Sequence, residues 1–180
     1  GQYIDISMTD CVATLNSMAA AAVLAGETKQ YAEQSHLNGA TYYDYYQTLD
    51  GRYLSVGSLE PQFMSGLAAV LELPILLEKG TSFDATDQKL VKQALQEKIK
   101  TKTFTEWSSI FAELDVCVEP VLHLDEALTS PLAKQRQWVV DVPLAEESAQ
   151  TEAQLACPIK FSRSKMSYKH IGKKLGEDSF

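Results

Sequence analysis

The sequence of 180 residues predicts an α+β fold, in which a small module with an antiparallel hairpin or sheet packs against helices. The composition, with 45% hydrophobic residues, 9 glycines and 6 prolines, is typical of a chain that buries a core. Two β-rich runs flank Asp50-Gly51, the strongest short signal for a hairpin. Several later segments carry apolar residues at helical spacing. We expect three regions: a strand and a long helix over 1–37, a small α+β domain over 38–125, and a return segment with a basic tail over 126–180.

The N-terminal region predicts a strand followed by one long helix. Residues 3–7 alternate in polarity as a strand does, Asp10 is a good N-cap, and Gly26 is a plausible stop for a helix over 11–25. Apolar side chains surround this helix, so we expect it to be buried in a larger domain or at an interface. A chain that opens this way, without an initiator methionine, is expected to be a fragment of a larger protein.

The central region contributes the hairpin and three helices. Its predicted strands cover residues 42–49 and 52–57, and Pro61 suits the first turn of the next helix. A second helix is expected from Thr86 or Asp87 to Lys100. Further elements are a capping box at Thr103 to Glu106, which opens another helix, and a short strand over 116–121.

The C-terminal region is less regular. Ser130-Pro131 predicts a short helix, 139–142 and 159–161 are β-like, and the polar run 145–154 is expected to be a surface loop. The stretch 160–174 carries six cations and no acid: Lys160, Arg163, Lys165, Lys169, Lys173 and Lys174. A solvated tail is the simpler interpretation, and a contact to a nucleotide phosphate is the sharper one.

Charge and cysteine content narrow the function classes. A net charge of −8 repels polyanions, so nucleic acid is not an expected partner. Three widely spaced cysteines without a CxxC pair predict reduced thiols and no metal site. The apolar run 12–25 is too short and too interrupted to span a bilayer, so we expect a cytoplasmic protein without a membrane partner.

Glu60, in the stretch Gly57 to Phe63 (GSLEPQF), is the candidate catalytic residue. It stands between a predicted strand and a predicted helix, where a carboxylate can serve as a helix cap. Glutamate is a poorer N-cap than Ser, Thr, Asp or Asn, so capping explains this choice only in part. An ionised acceptor at a rigid corner is also suited to orient an imidazole and to stabilise its protonated form.

No partner for Glu60 is evident within the sequence. His36, His123 and His170 stand in no recognisable catalytic setting, so each is expected to be structural or solvated, and the partner histidine to lie outside this chain. Cys117 has no basic neighbour that would lower its pKa, and it is expected to be a buried structural thiol.

Three long stretches resemble the second half of the α-methylacyl-CoA racemases, which are members of the family III CoA-transferase (CaiB/BaiF) superfamily. They are GQYIDISMTD at the N-terminus, LNGATYYDYYQTLDGRYLSVGSLEPQF from Leu37, and TFTEWSSIFAELDVCVEPVLHLDEALTSP from Thr103. The resemblance is close to about Arg136 and looser beyond it. It implies that the long N-terminal helix and the C-terminal extension belong to the large domain of that family.

The resemblance implies a 1,1-proton transfer at the α-carbon of 2-methylacyl-CoA thioesters, with no cofactor because CoA is part of the substrate. One acid/base group of the family is a His paired with a Glu that matches Glu60, and the other is an Asp. This sequence has no Gly-His-Asp and no glycine-rich Asp turn, so the chain alone is expected to be inactive. Tyr43, Leu59 and Met64 are the expected substrate-binding residues, although core packing explains Tyr43 and Met64 as well.

Two alternatives remain open. A family III CoA-transferase typically has a glycine-rich loop where this chain has GSLEPQF, which favours racemase over transferase. The chain is otherwise interpreted as a non-catalytic module that dimerises through helix 11–25. The resemblance itself implies an interlocked homodimer.

Overall fold

The computed structural model describes residues 1–26, 37, 39–146, 148–172 and 176. The chain divides into two compact units, Gly1–Val121 and Leu122–Phe180. The α+β prediction is confirmed, since helices combine with small antiparallel sheets. The three-region division, which differs from these two units, stays a prediction.

The first unit contains a three-stranded antiparallel sheet in the order β1-β2-β3. Strand β1 is Asp44–Gln47, β2 is Tyr53–Val56 and β3 is Val118–Pro120. The predicted hairpin joins β1 to β2, and Gly51 takes the positive φ of 81° that this tight turn needs. The Asp50 carboxylate secures the turn by accepting hydrogen bonds from the Thr48 hydroxyl at 2.6 Å and from the Phe104 N–H at 3.0 Å.

Four helices of this unit carry the sheet's core. They are α3 (Pro61–Leu71), α4 (Ile75–Lys79), α5 (Ala85–Ile99) and α6 (Phe104–Ala112). Fully buried side chains from the strands and helices form one cluster, among them Leu54, Leu67, Leu95 and Trp107. The predicted capping box at Thr103 is present, and Asp84 rather than a later residue caps α5. Helix α4 has only five residues and was not predicted.

The N-terminal helix is present but divided. It consists of α1 (Met8–Leu15) and α2 (Ser17–Leu24), separated at Asn16, whose side-chain amide donates to the Val12 carbonyl at 2.9 Å. The predicted strand over 3–7 was wrong, because no neighbouring strand pairs with these residues in the described chain, and Ser7 instead caps α1. No side chain of either helix is buried. Burial against other polypeptide stays a prediction.

The second unit holds α7 (Leu124–Thr129), α8 (Pro131–Arg136) and a hairpin of β4 (Val139–Pro143) with β5 (Thr151–Leu155). The predicted loop over 145–154 was wrong in its second half, because β5 is a strand with all side chains exposed and therefore lacks polar–apolar alternation. The predicted strand over 159–161 was also wrong, since these residues pair with no strand among those described. Helix α7 was not predicted. In the described residues no helix combines the length and hydrophobicity needed to cross a membrane.

Candidate functional site

The candidate site is the corner Gly57–Glu60, which connects β2 to α3. Three hydrogen bonds fix it from two directions. The Gly57 N–H donates to the Cys117 carbonyl at 2.8 Å, and the hydroxyl of fully buried Ser58 donates to the Val116 carbonyl. The Tyr42 hydroxyl donates to the Ser58 carbonyl at 2.5 Å. Both the segment before β1 and the segment before β3 therefore fix the backbone that leads to Glu60.

Glu60 occupies the N-cap position of α3, in an extended conformation with φ −69° and ψ 142°. Its carbonyl accepts the first helical hydrogen bond, from the Met64 N–H at 2.9 Å. Its carboxylate is exposed and accepts no capping hydrogen bond from the described residues of the helix. The side chain of Glu60 therefore does not cap α3. The backbone of Glu60 is fixed while its carboxylate remains available.

The charge of Glu60 acts on two neighbouring side chains. Burial, and then the Glu60 carboxylate, raise the pKa of Tyr42 to about 12. Desolvation, and then the charges of Glu60, Asp115 and Glu119, raise the pKa of the Cys117 thiol. Negative potential at this corner thus disfavours a second anion. The same potential favours a cation, so an imidazole placed beside the carboxylate would hold its proton more firmly.

Cys117 differs from its prediction. The residue is exposed rather than buried, because its φ of 50° turns the chain just before β3 while its carbonyl faces Gly57. The raised pKa nevertheless opposes the thiolate form. The residue therefore contributes a backbone acceptor to the corner rather than a nucleophile.

The structure places two of the three expected substrate-binding residues at the corner. Tyr43 is half-buried, and its ring lies so close to Gly57 that a Cβ at that glycine would be 3.2 Å from the Tyr43 Cε2. Leu59 is partly buried and packs against the core. Met64 is only 7% exposed and belongs to the core itself. Contact between these side chains and a substrate stays a prediction.

The histidines give Glu60 no evident partner. His123 is exposed and begins α7, where its N–H donates to the Glu126 carboxylate at 2.8 Å. His170 is half-buried, with an Nδ1 that has no hydrogen-bond partner among the described residues. His36 lies outside the described residues. Within the described chain no three His, Cys, Asp or Glu side chains are grouped as metal ligands.

Sequence reasoning missed Tyr42 and Ser58 as parts of the site. Tyr42 is one of four tyrosines in the run 42–46, and nothing in that run distinguishes it from the others. Its partner Ser58 is 16 positions away, and Ser58 in turn bonds to Val116, 58 positions further on. No local sequence pattern predicts hydrogen bonds between residues so far apart in the sequence.

Comparisons with known proteins agree on one family. Residues 1–179 match the family model described as CoA-transferase family III. The alpha-methylacyl-CoA racemase of Mus musculus is 37% identical over 129 residues, covering 71% of this chain and 34% of that protein. The racemase of Homo sapiens is 32% identical over 137 residues, covering 76% and 36%. The chain thus spans about a third of the length of the curated relatives it matches.

A solved structure shows the same fold. The crystal structure of a CAIB/BAIF family protein from Brucella suis superposes with a TM-score of 0.68 at 18% identity. The match covers 98% of this chain and 46% of that one. At this identity the likeness describes the fold and not the chemistry.

Proposed function

Since this chain belongs to CoA-transferase family III, we propose that it contributes Glu60 to an enzyme that inverts the α-carbon of 2-methylacyl-CoA thioesters. Two curated relatives, 37% and 32% identical, are named alpha-methylacyl-CoA racemase, which favours racemisation over CoA transfer. The reaction needs a base that removes the α-proton and an acid that returns it to the opposite face of the enolate. We assign these two roles to a histidine and an aspartate from the rest of the protein.

The available carboxylate of Glu60 on a fixed backbone is the observation that carries this proposal. It orients the imidazole by accepting its N–H, and it stabilises the imidazolium that forms when the α-proton is taken. Burial is the largest cause of the raised pKa values of Tyr42 and Cys117, and the Glu60 charge adds to it in both, which supports a negative potential at this point. Glu60 does not itself contact the proton in transit.

The remaining parts of the site follow from the same proposal. Tyr43 and Leu59, which lie at the corner, contact the acyl part of the thioester, and Met64 supports it from the core beneath. The regions 1–37 and 126–180 belong to the large domain of a homodimer, where apolar side chains of α1 and α2 are covered. CoA enters as part of the substrate, so the chemistry requires no further cofactor.

Exchange of the α-proton in deuterated water tests the assignment. The chain alone is expected to give no exchange with 2-methylacyl-CoA, whereas a mixture with the N-terminal half of the protein is expected to give it. In that mixture Glu60→Gln should lower the exchange rate by roughly a hundredfold or more, the range of a general acid–base contribution. Glu113→Gln is the matched control, because Glu113 is also an exposed glutamate next to a helix end.

Each other outcome has a defined meaning. Exchange by the chain alone would show that the acid and base lie within it. Equal rates for the Glu60 and Glu113 variants would remove Glu60 from the mechanism. Transfer of CoA to a second carboxylic acid without α-proton exchange would support the transferase alternative.

A further inference from the structure

The second unit contains three adjoining hollows of about 340, 390 and 290 Å³, all lined by Gln137 and Lys160. We call them together the basic groove. Three cations and three aromatic side chains define its walls, and they are Arg136, Lys160, Lys165, Trp138, Phe161 and Tyr168. The two larger volumes fall within the range of about 300–1,000 Å³ that is usual for small-molecule sites.

The fold builds this groove from the β4–β5 hairpin and the chain that follows it. Gln137 ends α8 with a φ of 51°, which turns the backbone directly into β4. On the other side, the Ala156 N–H donates to the Trp138 carbonyl at 2.8 Å, and the Cys157 N–H donates to the Tyr168 hydroxyl at 2.8 Å. These two bonds hold the chain after β5 to the start of the hairpin and to the later residue Tyr168.

The charge of the groove is unbalanced. Among the residues that the structure describes, no aspartate or glutamate lines any of the three hollows. Within the described residues, Arg136, Lys160 and Lys165 form no ion pair with a carboxylate. The sequence has no acid between Glu152 and Glu177, although the whole chain carries −8. A solvated basic surface would explain why the cations are present. It would not explain why they lie around a cavity.

The walls also offer apolar surface for the body of a ligand. Phe161 is 56% exposed and Trp138 is 37% exposed, and each lines one of the hollows. Cations beside aromatic and aliphatic surface match a phosphate group attached to a planar or apolar body. A free inorganic ion would use the cations and leave the apolar walls uncovered.

We propose that the basic groove binds a small organic phosphate. Its phosphate contacts Lys160 together with Lys165 or Arg136, and its body covers Phe161 or Trp138. This site is independent of Glu60 and of the proposed racemase activity. Part of the basic stretch 160–174 would thus contact a phosphate within a defined cavity, through Lys160 and Lys165.

Binding to the chain itself is measured by calorimetry and by the fluorescence of Trp138, with Trp138→Phe identifying the source of the signal. The probes are adenosine diphosphate, with a planar body, octyl phosphate, with an aliphatic body, and inorganic phosphate. One of the two organic phosphates is expected to bind saturably and more tightly than inorganic phosphate. The tighter of the two identifies the chemistry of the body.

Two variants separate the groove from the general field of the basic stretch. Lys160→Glu is expected to weaken binding of the organic phosphate by about tenfold or more, the effect of losing one charged hydrogen bond. Arg163→Glu makes the same charge change three residues away, and Arg163 lines none of the three hollows, so its effect should be much smaller. Lys165→Glu serves if the Lys160 variant does not fold.

Three results would overturn the proposal. They are equal weakening by the Lys160 and Arg163 variants, equal affinity for organic and inorganic phosphate, and no saturable binding below about 1 mM, where little affinity remains. None of them bears on Glu60, because the assay requires no catalysis. Failure of the groove and failure of the racemase proposal are therefore distinguishable.

Discussion

Tyr42→Phe tests whether the candidate corner is held by a buried hydroxyl. The substitution removes the donor to the Ser58 carbonyl and leaves the ring in the core, where Tyr42 is fully buried. An unsatisfied buried acceptor costs about 1–3 kcal/mol, so we expect the free energy of unfolding to fall by that amount at neutral pH.

The same substitution should change how stability depends on pH. The Tyr42 pKa is raised from 10.0 to about 12 in the folded chain, so folding favours the protonated phenol. Its contribution is fully present below pH 10 and is lost as the pH rises towards 12, by roughly 3 kcal/mol in all. Phenylalanine has no such proton. The variant should therefore lose less stability than the native chain across this interval.

Urea unfolding from pH 7 to pH 12 measures both effects. Trp107 is buried in the first unit, and its fluorescence in a Trp138→Phe background follows that unit alone. Tyr45→Phe is the matched control, because Tyr45 is 64% exposed and its loss of a hydroxyl should change neither quantity. Equal alkaline slopes for the native chain and the Tyr42 variant would refute the reasoning, as would an unchanged stability at neutral pH.

Three further predictions concern the scaffold. Gly66→Ala should lower the free energy of unfolding in urea by about 1–3 kcal/mol, because the new Cβ would lie 2.7 Å from the Cγ1 of buried Val116. A gain of about 1 kcal/mol, the effect of helix propensity alone, would contradict this prediction. Thr103→Ala should cost about 1 kcal/mol in the same assay, since it removes the cap of α6, and no loss would show that the capping box contributes little. The chain should elute as a dimer or larger in size-exclusion chromatography. Met18→Asp, at an apolar position that is 76% exposed, should shift the elution towards monomer. A monomeric native chain would count against α1 and α2 as an interface.

The elements that sequence reasoning found are those with local signals. Asp50-Gly51 specifies its turn through glycine's positive φ, and the Thr103 capping box satisfies its own helix within four residues. The strand β5 has no such signal, because every side chain in it faces solvent and its pairing with β4 depends on backbone groups alone. The split at Asn16 depends on a side-chain bond that competes with the helix, which hydrophobic periodicity does not register.

The candidate site shows the same division. Glu60 was found because a carboxylate before proline at a predicted strand-to-helix junction is a local pattern. The hydrogen bonds that hold its backbone were not predicted. They join Ser58 to Tyr42 and to Val116, which are distant in sequence and adjacent only in the folded chain. The predicted burial of Cys117 was wrong for a related reason. Its backbone is left-handed at the turn into β3, and no residue next to it in the sequence predicts this conformation.

The helix starts of this chain give a further reason to assign Glu60 to function rather than to stability. Helices α1, α5, α6 and α8 begin with Ser7, Asp84, Thr103 and Ser130, and each of these side chains accepts a hydrogen bond from its first turn. Such caps are worth about 1 kcal/mol each. Helix α3 begins with a glutamate that accepts no such bond from the described residues, as do α2 and α4 with Asn16 and Pro74, but at α3 the Tyr42 and Ser58 hydroxyls also hold the backbone of the corner. At α3 the missing cap coincides with a fixed backbone and an exposed carboxylate, which is the arrangement that the role proposed for Glu60 requires.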